Sequence, residues 1–204
     1  GAGEIEGMRL RLGIPSAHYM VALGSLEPRK NVPRLLQAWT GALGRIPDDL
    51  WLVLAGAQGK RTVFGEVRLA NLPTRVHVTG HVPDELLPAL YSGAIAAPYV
   101  SLYEGFGLPP LEAMACGTPP LASNIASLPE VIGDAGVLVD PHDVDAIADG
   151  IYRLARDAPL RSALRERGLT RASRFNWERT ATQTREFLEE VARGAPTPGG
   201  PGHR

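Results

Sequence analysis

Two carboxylates, Glu104 and Glu112, stand eight positions apart in the stretch SLYEGFGLPPLEAMACG, residues 101–117. Gly105 and Gly107 free the backbone between them, and Pro109 and Pro110 suit the first turn of a helix that closes at Gly117. Glu104 falls in the loop before that helix and Glu112 in or near its first turn, about one ligand fragment apart. A carboxylate repels phosphate but accepts hydrogen bonds from hydroxyls, which is how an acid recognises ribose in a nucleotide-binding fold. The Gly-Phe-Gly run leaves several N–H groups at the positive end of a helix dipole, suited to an anion or to sugar oxygens. Upstream, GSLEPRKN (24–31) carries Arg29 and Lys30. An arginine fork and a lysine point charge both suit phosphate oxygens. A nucleoside diphosphate bearing a sugar satisfies every one of these groups. The plainer alternative is a helix capped by acids and glycines with no ligand.

These residues need a frame that brings them together. YMVALG (19–24), LWLVLAG (50–56), RVHVTG (75–80), AIAAPY (94–99), TPPLAS (118–123) and AGVLVD (135–140) are short apolar runs of the kind that form buried parallel strands. Between them lie helical patterns: NVPRLLQAWTGAL (31–43) with Asn31 as a candidate N-cap, TVFGEVRLANL (62–72), PDELLPALYSG (83–93), LPPLEAMACG and SLPEVIG (127–133). Short connections and strict alternation predict a Rossmann-like α/β fold. It is an open parallel sheet of about six strands with helices on both faces. From Val144 the pattern is wholly helical, and GAPTPGGPGHR at the end reads as a disordered tail. The expected organisation is a lead-in over 1–17, a nucleotide-binding domain over 18–157, C-terminal helices over 158–192 and a tail over 193–204. Ligands of such sheets bind beyond the carboxyl ends of the strands. The segments there (GSLEPRKN, AGAQGK, GHVPDE, SLYEGFG, SNIASLPE) concentrate glycines, cations and carboxylates on one edge, which is therefore the expected site.

The totals narrow the partners. The 204-residue chain has 21 Lys and Arg against 22 Asp and Glu, so its balance of -1 gives no electrostatic case for nucleic acid. No apolar run is long enough for a transmembrane segment and no signal peptide opens the chain. The lone Cys116 allows no intrachain disulfide and reads as a small apolar packing residue in a helix. The cytoplasm is the default compartment.

At this point the residues resemble a known family. EGFGLPPLEAMACGTPPLASNIASLPEVIGDAGVLVDP (104–141) is similar to the donor-binding signature of the retaining, GT-B-fold glycosyltransferases of group 1. LGSLEPRKNVPRLLQAW (23–39), GHVPDELLPALY (80–91) and FNWERTATQTREFLEE (175–190) fit the same family, and the likeness runs from about residue 9 to 192. The resemblance implies that Glu112 binds the ribose hydroxyls and that Glu104 faces the donor sugar. It implies that Phe106, Gly107 and Leu108 present backbone amides to sugar or phosphate oxygens. Lys30 then binds the diphosphate beside Gly24, and Val82 and Pro83 receive the nucleobase. Where the family often has arginine after the first loop's glycine this chain has Ser25, and Arg29 is the candidate to supply that guanidinium.

The implied reaction needs no cofactor beyond the nucleotide-diphosphate sugar, GDP- or UDP-linked, as co-substrate. Metal ligands are not expected, because DVD (143–145) opens a helix. Retention in the family is attributed to front-face attack assisted by the leaving phosphate. The resemblance also implies that the chain is the C-terminal, donor-binding lobe, with the N-terminal acceptor lobe as its missing partner. The isolated lobe is then expected to bind donor without turning it over, and the full enzyme to be cytoplasmic or membrane-peripheral. The wording of the motif is similar to mannosyl- and rhamnosyl-type transferases, which favours GDP-mannose. A non-catalytic nucleotide-sugar-binding module and a GT-B epimerase stay open as alternatives. His81, Tyr103 and Glu130 are secondary candidates for the same edge.

Overall fold

The computed structural model describes residues 1–24, 27–56 and 72–193. Ser25, Gly59, Lys60, the tail from 194 and all but the last residue of the expected 62–72 helix lie outside the described residues.

Among the described residues, six parallel strands form two three-stranded ladders. The first contains β1 (Tyr19–Leu23), β2 (Trp51–Ala55) and β3 (Val76–Gly80), in the order β1-β2-β3. The second contains β4 (Ala97–Tyr99), β5 (Pro120–Ser123) and β6 (Val137–Val139), in the order β4-β5-β6. Register in the first runs from Tyr19 beside Trp51 to Leu23 beside Ala55; in the second, Tyr99 aligns with Ala122 and Ser123 with Val139. One parallel bridge, Met20 to Ala96, joins the ladders. The strands thus follow each other in space as β3-β2-β1-β4-β5-β6, and the order reverses between β1 and β4. That reversal is the switch point at which doubly wound sheets hold their ligands. The expectation of one open sheet is met in strand order, with a single bridge instead of a ladder at the switch.

Alternate residues of β1 and β2 serve opposite faces, as the two-residue period requires. Met20, Leu52 and Leu54 pack with α2 (Val32–Ala42) and α6 (Val144–Arg156) through Leu35, Trp39, Ile147 and Ile151. Tyr19, Val21, Val53 and Ala55 pack on the other face with α1 (Ala2–Arg11), α3 (Leu87–Gly93) and α4 (Leu108–Ala115) through Met8, Leu90, Tyr91 and Ala113. Burial on both faces explains why these strands are continuous apolar runs without alternation. A third cluster places Met114 of α4 with Leu128, Val131 and Ile132 of α5 (Leu128–Ile132) and Ala172 of α7 (Ala158–Ala172).

The helix starts follow local chemistry. The Asp143 side chain accepts the N–H groups of Asp145 and Ala146, both at 2.9 Å, so the first Asp of the DVD sequence is a helix cap. Residues from Ser173 form a separate unit built on α8 (Trp177–Ala192), whose Asn176 side chain accepts the N–H of Arg179 at 2.7 Å. Among the described residues, no helix is long and apolar enough to cross a membrane.

Candidate functional site

The carboxyl ends of β1, β2 and β3 close in three glycines with positive φ: Gly24 (152°), Gly56 (140°) and Gly80 (72°). The Gly24 N–H donates to Ala55 and the Gly56 N–H to Gly80. At Gly56 a side chain is impossible, because a Cβ would lie 2.1 Å from the Gly24 carbonyl oxygen. This close approach holds the start of the loop that ends in the Pro28–Lys30 3-10 turn, which carries both cations.

Those cations meet the first acid of the motif across the switch point. Lys30 Nζ donates to Glu104 Oε1 at 2.7 Å, and Arg29 reaches both Glu104 oxygens from one guanidinium nitrogen at 3.0 Å. Arg29 also pairs with Glu27 at 2.9 Å. The Lys30 and Glu104 side chains are only 11% and 9% exposed, against 45% for Arg29. Burial by itself raises the pKa of Glu104, but the hydrogen bond and charge of Lys30, with help from Ser101 and Tyr99, outweigh it and leave the carboxyl below its ordinary range. The Ser101 hydroxyl lies buried beside both groups, outside standard hydrogen-bond geometry.

Glu112 is placed differently. It is the fifth residue of α4, in the second turn and not the first, and it is solvent-exposed as a residue. The buried Tyr91 hydroxyl lies 3.5 Å from its Oε2. Loss of water on that side raises its pKa, the Tyr91 hydrogen bond opposes the rise, and the charge of Asp84 adds to it. The α4 N-terminus opens at Gly107, where φ is 102° and a Cβ would sit 2.6 Å from Leu128. Gly105, by contrast, has open space around its Cβ position and no positive φ. Only the second glycine of the motif is demanded by the backbone.

The loops are laced together. The N–H of Leu102 donates to the Arg29 carbonyl at 2.8 Å, and Ser127 Oγ donates to the carbonyls of Glu104 and Phe106 at 3.0 Å. Asn31 stands at the start of α2 with φ of 58°, yet makes no side-chain cap. Instead its amide donates to the carbonyls of Val100 (3.0 Å) and Pro141 (2.7 Å), tying the cation turn to the ends of β4 and β6. Sequence reasoning missed this tie, together with Tyr99, Tyr91 and Ser127.

The remaining candidates divide. Val82 is buried and Pro83 half-buried after β3, while Phe106 and Leu108 are 42% and 48% exposed beside Glu104 and Glu112 in sequence. The secondary candidates Tyr103, His81 and Glu130 are all exposed. Cys116 is half-buried against the α1–α3 cluster, and burial pushes its thiol up, the inert state expected of a packing residue.

Glycines close the carboxyl ends of three strands of a 3-2-1-4-5-6 sheet, two cations meet one carboxylate across its switch point, and a second carboxylate stands on the following helix. A family model described as glycosyl transferases group 1 matches residues 11–171. The chain belongs to that family. O-antigen chain mannosyltransferase B of Escherichia coli is 44% identical over 168 residues, 81% of this chain and 44% of that protein. D-inositol 3-phosphate glycosyltransferase of Salinispora arenicola is 35% identical over 195 residues, 90% of this chain and 44% of that protein. Among solved structures, sucrose-phosphate synthase from Thermosynechococcus elongatus aligns with a TM-score of 0.76 at 31% identity, covering 93% of this chain and 49% of that one. Anabaena HepE in complex with UDP-glucose gives 0.76 at 23% identity over 93% and 53% of the two chains, a likeness of fold. The group 1 chain described here spans less than half the length of these curated relatives.

Proposed function

We propose that this group 1 chain is the donor-binding lobe of a retaining hexosyltransferase that uses a nucleotide-diphosphate sugar, with GDP-mannose the favoured donor. The observation that carries the reading is the convergence of Arg29, Lys30 and Glu104 at the switch point between β1 and β4. Support for a mannosyl donor comes from the 44% identity to an E. coli mannosyltransferase.

In this reading the diphosphate lies against Arg29, Lys30 and the Gly107 end of α4, with Phe106, Gly107 and Leu108 offering backbone amides. Glu112 takes the ribose hydroxyls, and Val82 and Pro83 bound the base. As the glycosidic bond breaks, negative charge grows on the leaving diphosphate, and fixed cations stabilise it without reorganisation at that moment; loss of one such donor costs on the order of 100-fold in rate. Glu104, ionised and engaged with both cations before the donor arrives, gives them up to the diphosphate and is left to face the donor sugar. Acceptor binding belongs to a second lobe, so transfer requires that lobe, working in the cytoplasm or at its membrane surface.

Calorimetric titration of this chain with GDP, UDP, ADP and their sugars tests the reading, with Glu112→Ala as the control. Binding of a guanosine or uridine diphosphate, weakened at least about tenfold by Glu112→Ala through the loss of charged hydrogen bonds, is the expected result. No binding by any nucleotide sinks the donor-site reading. Turnover by the chain alone overturns the two-lobe requirement.

A further inference from the structure

We propose that Tyr99 is a positioning residue for the diphosphate clamp, holding the Lys30 ammonium toward the ligand through its phenol oxygen; this deepens the donor-site reading and rests on it.

Tyr99 is the last residue of β4 and is 5% exposed. Lys30 Nζ lies 2.5 Å from its hydroxyl oxygen and 4.7 Å from the ring centroid, so the oxygen is the nearer of its two contacts with the phenol. An ammonium has three donors. Glu104 takes one, Tyr99 takes another, and the third is left for a phosphate oxygen. Burial, reinforced by the charge and hydrogen bond of Glu104, raises the phenol's pKa, so Tyr99 stays neutral. It accepts from Lys30 while its own proton is available to Glu104.

Neutrality separates Tyr99 from Glu104. An incoming diphosphate competes with the Glu104 carboxylate for the same two cations and repels it. The phenol carries no charge, so it stays on Lys30 while the anion binds. Lys30 is flanked on the Gly24 side by the loop backbone, where a Cβ would already lie 3.5 Å from its Cε. With Glu104 displaced, the Tyr99 hydroxyl still fixes where the ammonium points. A clamp residue carried on the loop after β1 is thus aimed by the end of β4, across the switch point.

The test is a double-mutant cycle read by titration of GDP, and of UDP, into wild type, Tyr99→Phe, Lys30→Met and the double variant. Phenylalanine keeps the ring that packs in the third apolar cluster and removes the oxygen. The expected result is about tenfold weaker binding for Tyr99→Phe, a larger loss for Lys30→Met, and no further loss when Tyr99→Phe is added to Lys30→Met. Wild-type affinity in Tyr99→Phe, or a loss that persists in the Lys30→Met background, overturns the proposal and leaves Tyr99 a packing residue. Absence of binding by the wild type sinks the donor-site reading and this proposal with it. An NMR measurement on the wild type stands apart from the folding of any variant. The buried Tyr99 hydroxyl proton is expected to shift when GDP is added, and an unchanged signal in the bound protein counts against the aiming role.

Discussion

The two acids of one motif live in opposite electrostatic worlds. Glu104 is buried in a loop and clamped by Lys30 and Arg29, and its pKa is drawn down. Glu112 stands exposed on the second turn of α4 with a tyrosine hydroxyl for company, and its pKa is pushed up. Residue type and spacing are the same for both, so the difference comes wholly from what the fold delivers to each. Glu104 belongs to the structure before any ligand arrives. Glu112 keeps most of its hydrogen-bonding capacity for something outside the chain.

That contrast can be broken from the Glu104 side most severely at Gly56. Gly56→Ala drives a Cβ into the Gly24 carbonyl and strains a φ of 140°. It is expected to cost more than about 4 kcal/mol in urea denaturation and to abolish nucleotide binding. A cost under about 1 kcal/mol would show that the loop is not held as described. Glu104→Gln comes next. Leaving a nearly buried ammonium without its counter-ion costs about 3 kcal/mol, whereas Glu112→Gln changes stability by less than about 0.5 kcal/mol. Equal losses in the two variants would erase the contrast. In the proposed donor site, where a diphosphate would compete with Glu104 for its cations, Glu104→Gln is also expected to bind free GDP or UDP at least as tightly as wild type, and Glu112→Ala to bind it more weakly.

The glycines sharpen the same picture at smaller cost. Gly107→Ala must adopt a φ of 102° and displace Leu128, an expense of about 2 kcal/mol, while Gly105→Ala stays within about 0.5 kcal/mol. Thermal melts of the two variants measure the gap directly, and indistinguishable midpoints would refute it.

The gentlest probe is pH. Both carboxyls start from 4.5 when unfolded. Glu104 is depressed when folded, so its stabilisation is fully present above the unfolded pKa and is lost as pH falls through the lower folded value. Glu112 is raised, so it imposes a penalty above its folded pKa that fades as pH falls toward 4.5. Urea titrations between pH 3 and 7 are expected to show Glu104→Gln losing part of the acid-side slope of the wild type. Glu112→Gln is expected to gain slightly at pH 7 and to converge with wild type below 4.5. Slopes changed in the same direction would contradict the opposite shifts.

Much of the frame was open to reading because its causes are local. Apolar runs ending in glycine gave β1 and β2 nearly to the residue, and the alternation with helices gave the parallel sheet. The site edge was also open to reading, since loops after strands must gather at one end. What stayed hidden is long-range. Glu104 and its cations are 74 and 75 positions apart, and no local pattern says that the three neutralise one another. Tyr99 and Tyr91 carry their rings in apolar patterns, so they read as core, while their hydroxyls do polar work at the ends of Lys30 and Glu112. Asn31 sits where a cap is expected and instead spans three loops, because φ of 58° turns its side chain away from the helix start. Gly105 shows the converse error, a glycine that local reading overvalues.

The single bridge between the ladders bears on how the sheet breathes. Within each ladder, neighbouring strands pair over three to five residues, with one irregularity between Leu54 and Ala55; between β1 and β4 the N–H of Val21 to Ala96 and of Ile95 to Tyr19 are the backbone bonds that cross. Amides along that line have the fewest partners to break before they exchange with solvent. The residues that span it at its carboxyl end are Lys30, Glu104, Tyr99 and Asn31. The proposed ligand, seated there, would work as a rivet through the thinnest part of the sheet. Its signature is expected as slowed deuterium exchange in β1 and β4, far more than as any change of shape.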